Sequence, residues 1–423
     1  MRDPVRRIFL FAFIQLVFLS ACGGGSSDLT GGTGSTGTGT GTGTQTIAPV
    51  GANVVAMTVD SGPSGVGSDT TINIPYVNVT ICAPGSTTNC QTIDHIEVDT
   101  GSYGLRVIAS VVNASVLSAL PLETSIVGGA LAECAQFADG ITWGSMHTAD
   151  MQIASETAAN IPIQIIGDPN YPTIPSDCTT HGTPEDTVPL FGANGILGVG
   201  PFLTDCPDCA NSTQDNVYFA CPVGGGSCTD VEAPTTQQTA NPVAKFTTDN
   251  NGVILELPSV ADTGVVSATG ALVFGIGTQS NNALGSAAVL TTDDIGDITI
   301  NYKNVAYPDS FIDSGSNLIG LNDSSITACG TSPNQVYCPS SELSLSAINE
   351  GANNVQSTVD FKIADAETLL NNNPSFTAFD NVAGPYPDPQ GFDFGLPFFY
   401  GRNVFVAIEG DTTSGGTGPY FAY

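Results

Sequence analysis

The chain has 423 residues, of which 40 are Asp or Glu and only 8 are Lys or Arg, so its formal net charge is −32. Binding to nucleic acid depends on Lys and Arg side chains that replace the counterions of phosphate groups, and this composition therefore excludes a nucleic-acid partner. Few basic side chains also mean that little positive charge builds up when carboxylates take up protons, which allows function in acidic surroundings.

The first 21 residues are typical of a signal peptide. Three arginines precede the apolar stretch 8–18, which is too short to span a membrane. The motif Leu-Ser-Ala-Cys at 19–22 resembles the bacterial lipobox, in which the Cys thiol receives a diacylglycerol. We therefore predict an exported lipoprotein anchored through Cys22, and the outer membrane is the expected location because Gly23 offers no Asp retention signal.

Composition divides the rest of the chain into a tether and a large folded part. Residues 22–46 are almost wholly Gly, Ser and Thr, which cannot bury apolar surface and behave as a flexible coil. The following stretch of about 375 residues exceeds what one hydrophobic core usually supports. The size therefore predicts two lobes, which we place at 47–212 and 213–423.

The folded part has the pattern of a mostly β protein. It is rich in β-branched and aromatic residues in short alternating runs, separated by Gly, Pro, Asn and Asp. Clear strands are predicted at 71–81, 161–166, 270–275 and 403–408. Asn251-Gly252 predicts a hairpin turn, and 363–370 is the best helix candidate.

The cysteines predict disulfides, because ten of them follow Cys22 in an exported chain. Spacing alone favours only two local pairs, Cys82 with Cys90 and Cys329 with Cys338. The Cys-x-x-Cys motif at 206–209 is not expected to bind zinc, since there are only three scattered histidines and no second such motif at zinc spacing. We predict no metal and no cofactor.

Two segments of the chain, 96–107 and 310–320, are copies of one another. The first contains Asp99-Thr100-Gly101-Ser102 and the second contains Asp313-Ser314-Gly315-Ser316, each between apolar runs. A Gly lets the chain turn tightly at a strand end, while hydroxyl groups hydrogen-bond the loop and its Asp. If the loops meet, the two carboxyl groups cannot both ionise, so they share one proton and can activate a water molecule.

The tripeptide alone is weak evidence, because Asp-[Ser/Thr]-Gly also occurs at 60–62 and 262–264. Neither of these copies has Ser or Thr after the Gly, and we predict that both are turns.

The order of these motifs resembles the pepsin-like aspartic peptidases. The segment around Ile196, Leu197 and Gly198 resembles the family's apolar-apolar-Gly segment beneath the first loop. The segment around Gly395 resembles the family's C-terminal segment. The resemblance covers nearly the whole folded part. It implies an all-β, bilobal acid-protease fold with Asp99 and Asp313 as the catalytic pair. It also implies that the protein is a monomer and that its substrate is polypeptide.

Several positions depart from that family. The flap, a hairpin that closes over substrate, usually carries a Tyr followed by Gly, and the candidates here are Trp143 and Gly144, although Trp143 could instead pack within a hairpin. Tyr103 and Arg106 replace residues that usually brace the flap. Asp393 stands where an apolar residue is expected.

Two functions remain open from the sequence. The first is an aspartic endopeptidase, and the alternative is a non-catalytic surface protein of the same fold that grips polypeptide or carbohydrate. Both Asp residues are present in intact loops, which favours the enzyme. A serine hydrolase is excluded because no Gly-x-Ser-x-Gly is present. His95 is predicted to be a strand residue, and His147 and His181 are predicted to lie in loops.

Substituting Cys22 tests the predicted anchor. Cys22→Ser should remove the acylation site and release the protein from the membrane fraction, because the lipid supplies its only strong membrane affinity. Fractionation of cell extracts measures this, and an unchanged distribution between membrane and soluble fractions would rule out the lipobox.

Overall fold

The protein is all-β. The computed structural model describes residues 45–66, 71–331 and 335–423, with 41% of the chain in strands and 9% in helices. The predicted signal peptide, Cys22 and residues 22–44 of the predicted tether lie outside the described residues.

Gln45, which the sequence places in the tether, contacts the folded part of the chain. Its Nε2 donates hydrogen bonds to the carbonyl groups of Leu257, at 2.7 Å, and Arg402, at 2.6 Å. The backbone N–H of Ala48 donates to Glu256 Oε2 at 2.6 Å. These contacts join the start of the described chain to two neighbouring central strands.

Twenty-six strands are present among the described residues. The first thirteen are β1 (Val54–Val59), β2 (Pro75–Cys82), β3 (Cys90–Asp99), β4 (Tyr103–Ile108), β5 (Ala130–Gln136), β6 (Ile141–Ile153), β7 (Glu156–Ile166), β8 (Gly195–Val199), β9 (Tyr218–Cys221), β10 (Thr229–Asp230), β11 (Gly252–Leu257), β12 (Ala268–Phe274) and β13 (Val289–Thr291). The others are β14 (Ile298–Tyr302), β15 (Val305–Ile312), β16 (Ile319–Gly320), β17 (Ala328–Cys329), β18 (Val336–Tyr337), β19 (Leu343–Glu350), β20 (Gln356–Ile363), β21 (Ala383–Gly384), β22 (Asp393–Phe394), β23 (Arg402–Ala407), β24 (Thr412–Thr413), β25 (Gly416–Thr417) and β26 (Tyr420–Ala422).

The strands form one large sheet, one smaller sheet and two short ribbons. The large sheet has the order β10-β9-β5-β6-β7-β4-β8-β3-β2-β1-β12-β11-β23-β26-β13. The smaller sheet has the order β20-β19-β14-β15-β22-β16-β21, and the ribbons are β17-β18 and β24-β25. All four strands predicted as clear examples overlap observed strands.

Helices are short in the described chain. The α-helices are α1 (Ala114–Leu117), α2 (Ser176–Thr179), α3 (Val188–Phe191) and α4 (Ala366–Asn372), and 3-10 turns occur at Ala109–Val111, Pro207–Ala210, Val243–Lys245 and Leu396–Phe399. The helix predicted at 363–370 starts later than expected. Ile363 still belongs to β20, and Asp365 caps α4 by accepting a hydrogen bond from the Thr368 N–H at 2.9 Å.

Two other local predictions are wrong. Asn251-Gly252 does not form a hairpin turn, because Gly252 begins β11, which pairs with β12 and β23 rather than with the preceding segment. The amide side chain of Asn251 instead holds the start of β11 in place, because its Nδ2 donates a hydrogen bond to the carbonyl of Ile276 at 3.1 Å. His147 lies in β6, not in a loop, whereas His95 is a strand residue of β3 as predicted.

One three-strand arrangement occurs twice. In the first copy, β8 lies between β3, to which it is parallel, and β4, to which it is antiparallel. In the second, β22 lies in the same way between β15 and β16. The largest cluster of buried apolar side chains contains members from both copies, including Val98, Leu197, Ile312 and Phe394. The core therefore lies directly beneath the two duplicated loops.

All ten cysteines after Cys22 are paired. The predicted bonds Cys82–Cys90 and Cys329–Cys338 are present, and the others are Cys134–Cys178, Cys206–Cys209 and Cys221–Cys228. Disulfides persist in oxidising compartments, so this pattern indicates an exported protein. Within the described ranges, no helix is long and apolar enough to cross a membrane.

The disulfides should differ in their contribution to stability. Cys134–Cys178 encloses a sequence separation of 44 and Cys82–Cys90 one of 8. Loss of the first should cost roughly 4 kcal/mol and loss of the second roughly 2.5 kcal/mol, since a longer closed loop restricts the unfolded chain more. Denaturant unfolding of the two paired Cys→Ser variants measures this, and an equal or reversed order would contradict it.

Candidate active site

Each duplicated loop is a tight turn at the end of a strand. The first leaves β3 at Asp99, and the Gly101 N–H donates to Asp99 Oδ1 at 2.7 Å. The second follows β15, and the Gly315 N–H donates to Asp313 Oδ1 at 2.8 Å. Each Asp carboxylate is thereby held by the backbone of its own loop.

The two loops are joined by reciprocal hydrogen bonds. The Thr100 N–H donates to Ser314 Oγ at 3.1 Å, and the Ser314 N–H donates to Thr100 Oγ1 at 2.9 Å. The Thr100 hydroxyl in turn donates to the Ile312 carbonyl at 3.1 Å, and the Ser314 hydroxyl donates to the Val98 carbonyl at 2.7 Å. Four buried hydrogen bonds therefore relate the loops almost symmetrically, and we call this set the loop interlock.

The interlock brings the two carboxyl groups side by side. A Cβ at Gly101 would lie 2.8 Å from Asp313 Cγ, and a Cβ at Gly315 would lie 2.9 Å from Asp99 Cγ, so neither position tolerates a side chain. Asp99 and Asp313 are each 2% exposed and hydrogen-bond one another. Burial, followed by the charge of Asp99, raises the pKa of Asp313 well above its usual range.

The second hydroxyl residue of each loop is used differently. Ser316 Oγ donates to Asp313 Oδ2 at 2.9 Å. Ser102 is also buried, but its hydroxyl makes no hydrogen bond. The two carboxyls are therefore not equivalent, because Asp313 accepts one more side-chain hydrogen bond than its partner does from the matching position.

The segments predicted to pass beneath the loops do so. Leu197 pairs with Val98 on one side and with Leu105 on the other, and Gly198 pairs with Asp99 itself. Ile196, next to Leu197, is fully buried. Beneath the second loop, the Asp313 N–H donates to the Phe394 carbonyl at 3.1 Å, and the Leu396 N–H donates to the Ser316 carbonyl at 2.7 Å on either side of Gly395.

Two further acids lie beside the pair. Glu97, two residues before Asp99, and Asp393, in β22, are both 0% exposed, and no oxygen of either carboxyl accepts a hydrogen bond. Burial raises the pKa of both groups well above the usual range, and the charge of Asp99 raises it further. Asp393 was recognised as unusual in the sequence. Glu97 was not, although a charged residue in an apolar strand just before the motif is the signal that marks it.

Arg106 connects the strand after the first loop to a neighbouring hairpin. It is 3% exposed, and its guanidinium contacts Glu133 of β5 at 2.6 and 3.2 Å and Asp205 at 3.3 Å. Asp205 also accepts a hydrogen bond from the Tyr218 hydroxyl at 2.7 Å. One buried cation therefore faces two carboxylates, and burial together with the charge of Glu133 raises the pKa of Asp205. The β5–β6 hairpin is fixed to β4 by this ion pair.

The predicted flap residues are not at a hairpin tip. Trp143 lies within β6 at 1% exposure, its ring packs edge-on against Phe219 with centroids 5.4 Å apart, and its Nε1 donates to the Tyr171 carbonyl at 2.8 Å. Gly144 lies so close to the backbone of β7 that no side chain would fit. The flap prediction for both residues is therefore corrected. They belong to the core, and the turn of this hairpin is at 137–140.

A small cavity of about 40 Å³ lies beside the interlock. Thr100 and Gly101 of the first loop form part of its wall, as do Phe311 and Ile312 next to the second. The rest of the wall comprises Tyr103, Pro201, Ile295, Gly296, Asp297 and Phe421. A water molecule needs roughly 10–15 Å³ of such space, so the cavity is large enough for a few waters. A longer ligand would require its walls to move.

A family model described as "Protein of unknown function (DUF3443)" matches residues 49–423. The chain belongs to the DUF3443 family. The matched region contains both loops and both strands beneath them. A search of curated proteins finds no match.

Several carboxyl groups of this DUF3443 protein have a pKa that burial raises. Burial is the largest cause of a raised pKa for Glu97, Asp139, Asp186, Asp205, Asp313 and Asp393. The pKa of Asp139 rises to about 7 and that of Asp186 to about 6. The pKa of Asp168 shifts the other way. Burial alone would raise it, but hydrogen bonds from His147 and Ser145 outweigh burial and lower the pKa to about 2.

Stability should therefore be greatest in acid. A carboxyl with a raised pKa stabilises the fold fully below its unfolded value near 4, and this contribution is lost as the pH rises through the folded value. The free energy of unfolding should fall between about pH 5 and pH 8, while Asp168 limits stability below about pH 4. Urea unfolding at a series of pH values, with disulfides intact, measures this.

Asp186→Asn supplies the internal check. The substitution should flatten the decline of the free energy of unfolding near pH 6, because the titrating group is removed. The Asn side-chain oxygen can still accept the hydrogen bond that the Trp143 N–H donates to Asp186 at 2.9 Å in the native chain. Asp294→Asn changes an exposed carboxylate and serves as the matched control. A stability that rises steadily from pH 5 to pH 8 in the native chain would contradict the assignment.

Proposed function

We propose that this protein is a pepsin-like aspartic endopeptidase. The observation that carries the proposal is the loop interlock, which holds the Asp99 and Asp313 carboxyls together, buried and hydrogen-bonded to one another. Two such carboxyls share a proton because both cannot be ionised at once. The repeated three-strand arrangement beneath the loops supports two related lobes, at 47–212 and 213–423, with the pair at their junction.

The chemistry follows from one shared proton. The ionised carboxyl takes a proton from a water molecule as the water attacks the peptide carbonyl carbon, and the protonated carboxyl donates a hydrogen bond to the carbonyl oxygen. The proton is then delivered to the leaving amine. Because Ser316 donates to Asp313, whereas Ser102 makes no hydrogen bond, the two carboxyls differ in their surroundings, which is what a division of roles between base and acid requires.

Location and substrate complete the proposal. We place the enzyme outside the cytoplasm, attached through a lipid on Cys22 to the outer membrane, with the Gly-rich stretch before Gln45 as its tether. Its substrates would be polypeptides of the cell envelope or the surroundings. The five disulfides support an oxidising location, and the stability expected in acid suits an enzyme whose pair must stay singly protonated.

Substitution of either carboxyl tests the proposed chemistry. Peptide hydrolysis should be fastest in acid and decline toward neutrality, because loss of the shared proton leaves two repelling carboxylates. Asp99→Asn or Asp313→Asn should lower kcat by roughly 10³-fold or more while leaving the fold intact, since Asn keeps the size of the side chain but ends proton sharing. Cleavage of a diverse peptide library from about pH 2 to pH 7, read by mass spectrometry, measures both effects.

Asp262→Asn is the matched control. It changes the same residue type in the same Asp-Thr-Gly tripeptide, but at an exposed turn whose carboxylate contacts Lys362 at 2.6 Å. Its activity should equal that of the native chain. If the native, disulfide-bonded protein cleaves no library member, the peptidase assignment fails and the non-catalytic binding protein predicted as the alternative takes its place.

A further inference from the structure

Asp393 occupies a position that is apolar in the first copy of the site. In β22 it pairs with Phe311, two residues before Asp313, and also with Gly320. The matching residue beneath the first loop is Ile196, which pairs with Glu97. The matching position in the first copy is thus apolar, and an acid at 0% exposure costs stability unless it has another role.

The surroundings of Asp393 contain other acids. The carboxyls of Asp99 and Asp313 face it from the two loops, and Tyr386 faces it across Gly320. The Ser316 side chain is a neighbour of Asp393, and its hydroxyl donates to Asp313 Oδ2 at 2.9 Å rather than to Asp393. None of the groups that act on Asp393 is a cation. Ser316 is therefore the polar group between this third acid and the pair.

We propose that Asp393 is a third carboxyl of the active site, a positioning residue that keeps the proton shared by Asp99 and Asp313 in place as the pH rises toward neutral. This rests on the proposed peptidase function. It adds a control on the pH range of that activity.

The physical reason lies in where a second negative charge costs least. Asp99 and Asp313 touch each other, so a charge on both is the least favourable arrangement. Asp393 lies further away, because it pairs with Phe311, two residues before Asp313, and it ionises before the pair loses its shared proton. Its charge then opposes the departure of that proton, so the alkaline limit of activity moves upward. Consistent with this, Asp393 is one of the charges that raise the pKa of Asp313.

The test compares pH profiles of kcat/KM for the native chain and Asp393→Asn. The alkaline limb should move down by on the order of one pH unit, because the charge that holds the shared proton is gone, while the acid limb should not move. A loss of packing alone would lower the rate at every pH without displacing the limb. Asp186→Asn removes another acid whose pKa burial raises, one that is not among the groups acting on Asp313, and should leave both limbs unchanged.

An infrared titration of protonated carboxyl groups reads the same protons without activity. In the native chain, the Asp393 carboxyl should titrate shortly before the shared proton leaves, among the bands of the other carboxyls whose pKa burial raises. In Asp393→Asn that band should be missing, and the band of the shared proton should titrate at lower pH. Asp393→Ile, which copies Ile196 at the matching position beneath the first loop, serves as the second variant if Asp393→Asn does not fold.

The outcomes separate the two proposals. If the native chain cleaves nothing but the infrared bands shift as expected, the peptidase function fails and the role of Asp393 in holding the proton stands. If the native chain is active and both Asp393 variants keep its alkaline limb and its infrared titration, the role of Asp393 is overturned and the peptidase function stands.

Discussion

The reciprocal hydrogen bonds between Thr100 and Ser314 are the constraint on which the site depends. They connect loops 214 residues apart in sequence, and each hydroxyl uses both its donor and its acceptor capacity in doing so. With the loops fixed at this distance, each loop Gly must face the opposite carboxylate without a side chain between them. The strands β8 and β22 then fill the space beneath, and the main apolar core continues downward from them.

Burying several carboxyl groups close together around the two loops has an electrostatic cost. Asp99, Asp313, Glu97 and Asp393 are all buried near one another, and the chain has only 8 basic side chains to set against 40 acidic ones. The one buried Arg near the first loop, Arg106, is already engaged by two other carboxylates. Burial raises the pKa of Glu97, Asp313 and Asp393 well above the usual range, which favours their uncharged forms. For this reason we connect the stability, the pH range and the proposed chemistry of this protein to the same group of carboxyls.

The sequence identified the two loops that meet in the interlock, whereas several of its predictions of local structure were wrong. The two Asp-[Thr/Ser]-Gly tripeptides were recognisable because a tight turn that carries a carboxyl group requires those residue types. The apolar-apolar-Gly segments marked the strands beneath the loops. The Cys134–Cys178 bond was not predictable, because it joins strand β5 to helix α2, which only the fold brings together.

The local errors have related causes. Trp143 was assigned to a flap from its neighbourhood in sequence, but tertiary packing against Phe219 decided its place. Asn251-Gly252 has the composition of a hairpin turn, yet it begins a central strand because two other strands pair with it. Glu97 was overlooked, since an alternating strand pattern does not show which face a charge will occupy when both faces are buried.

The central claim is that Asp99 and Asp313 form one coupled pair, and carbon-13 NMR of labelled Asp carboxyl groups tests it most directly. We expect both resonances to respond to the same two titration steps, with the second proton retained well above the usual range for Asp. If each carboxyl titrates once, independently of the other and in the ordinary range, the two groups do not share a proton and the account of this site is wrong.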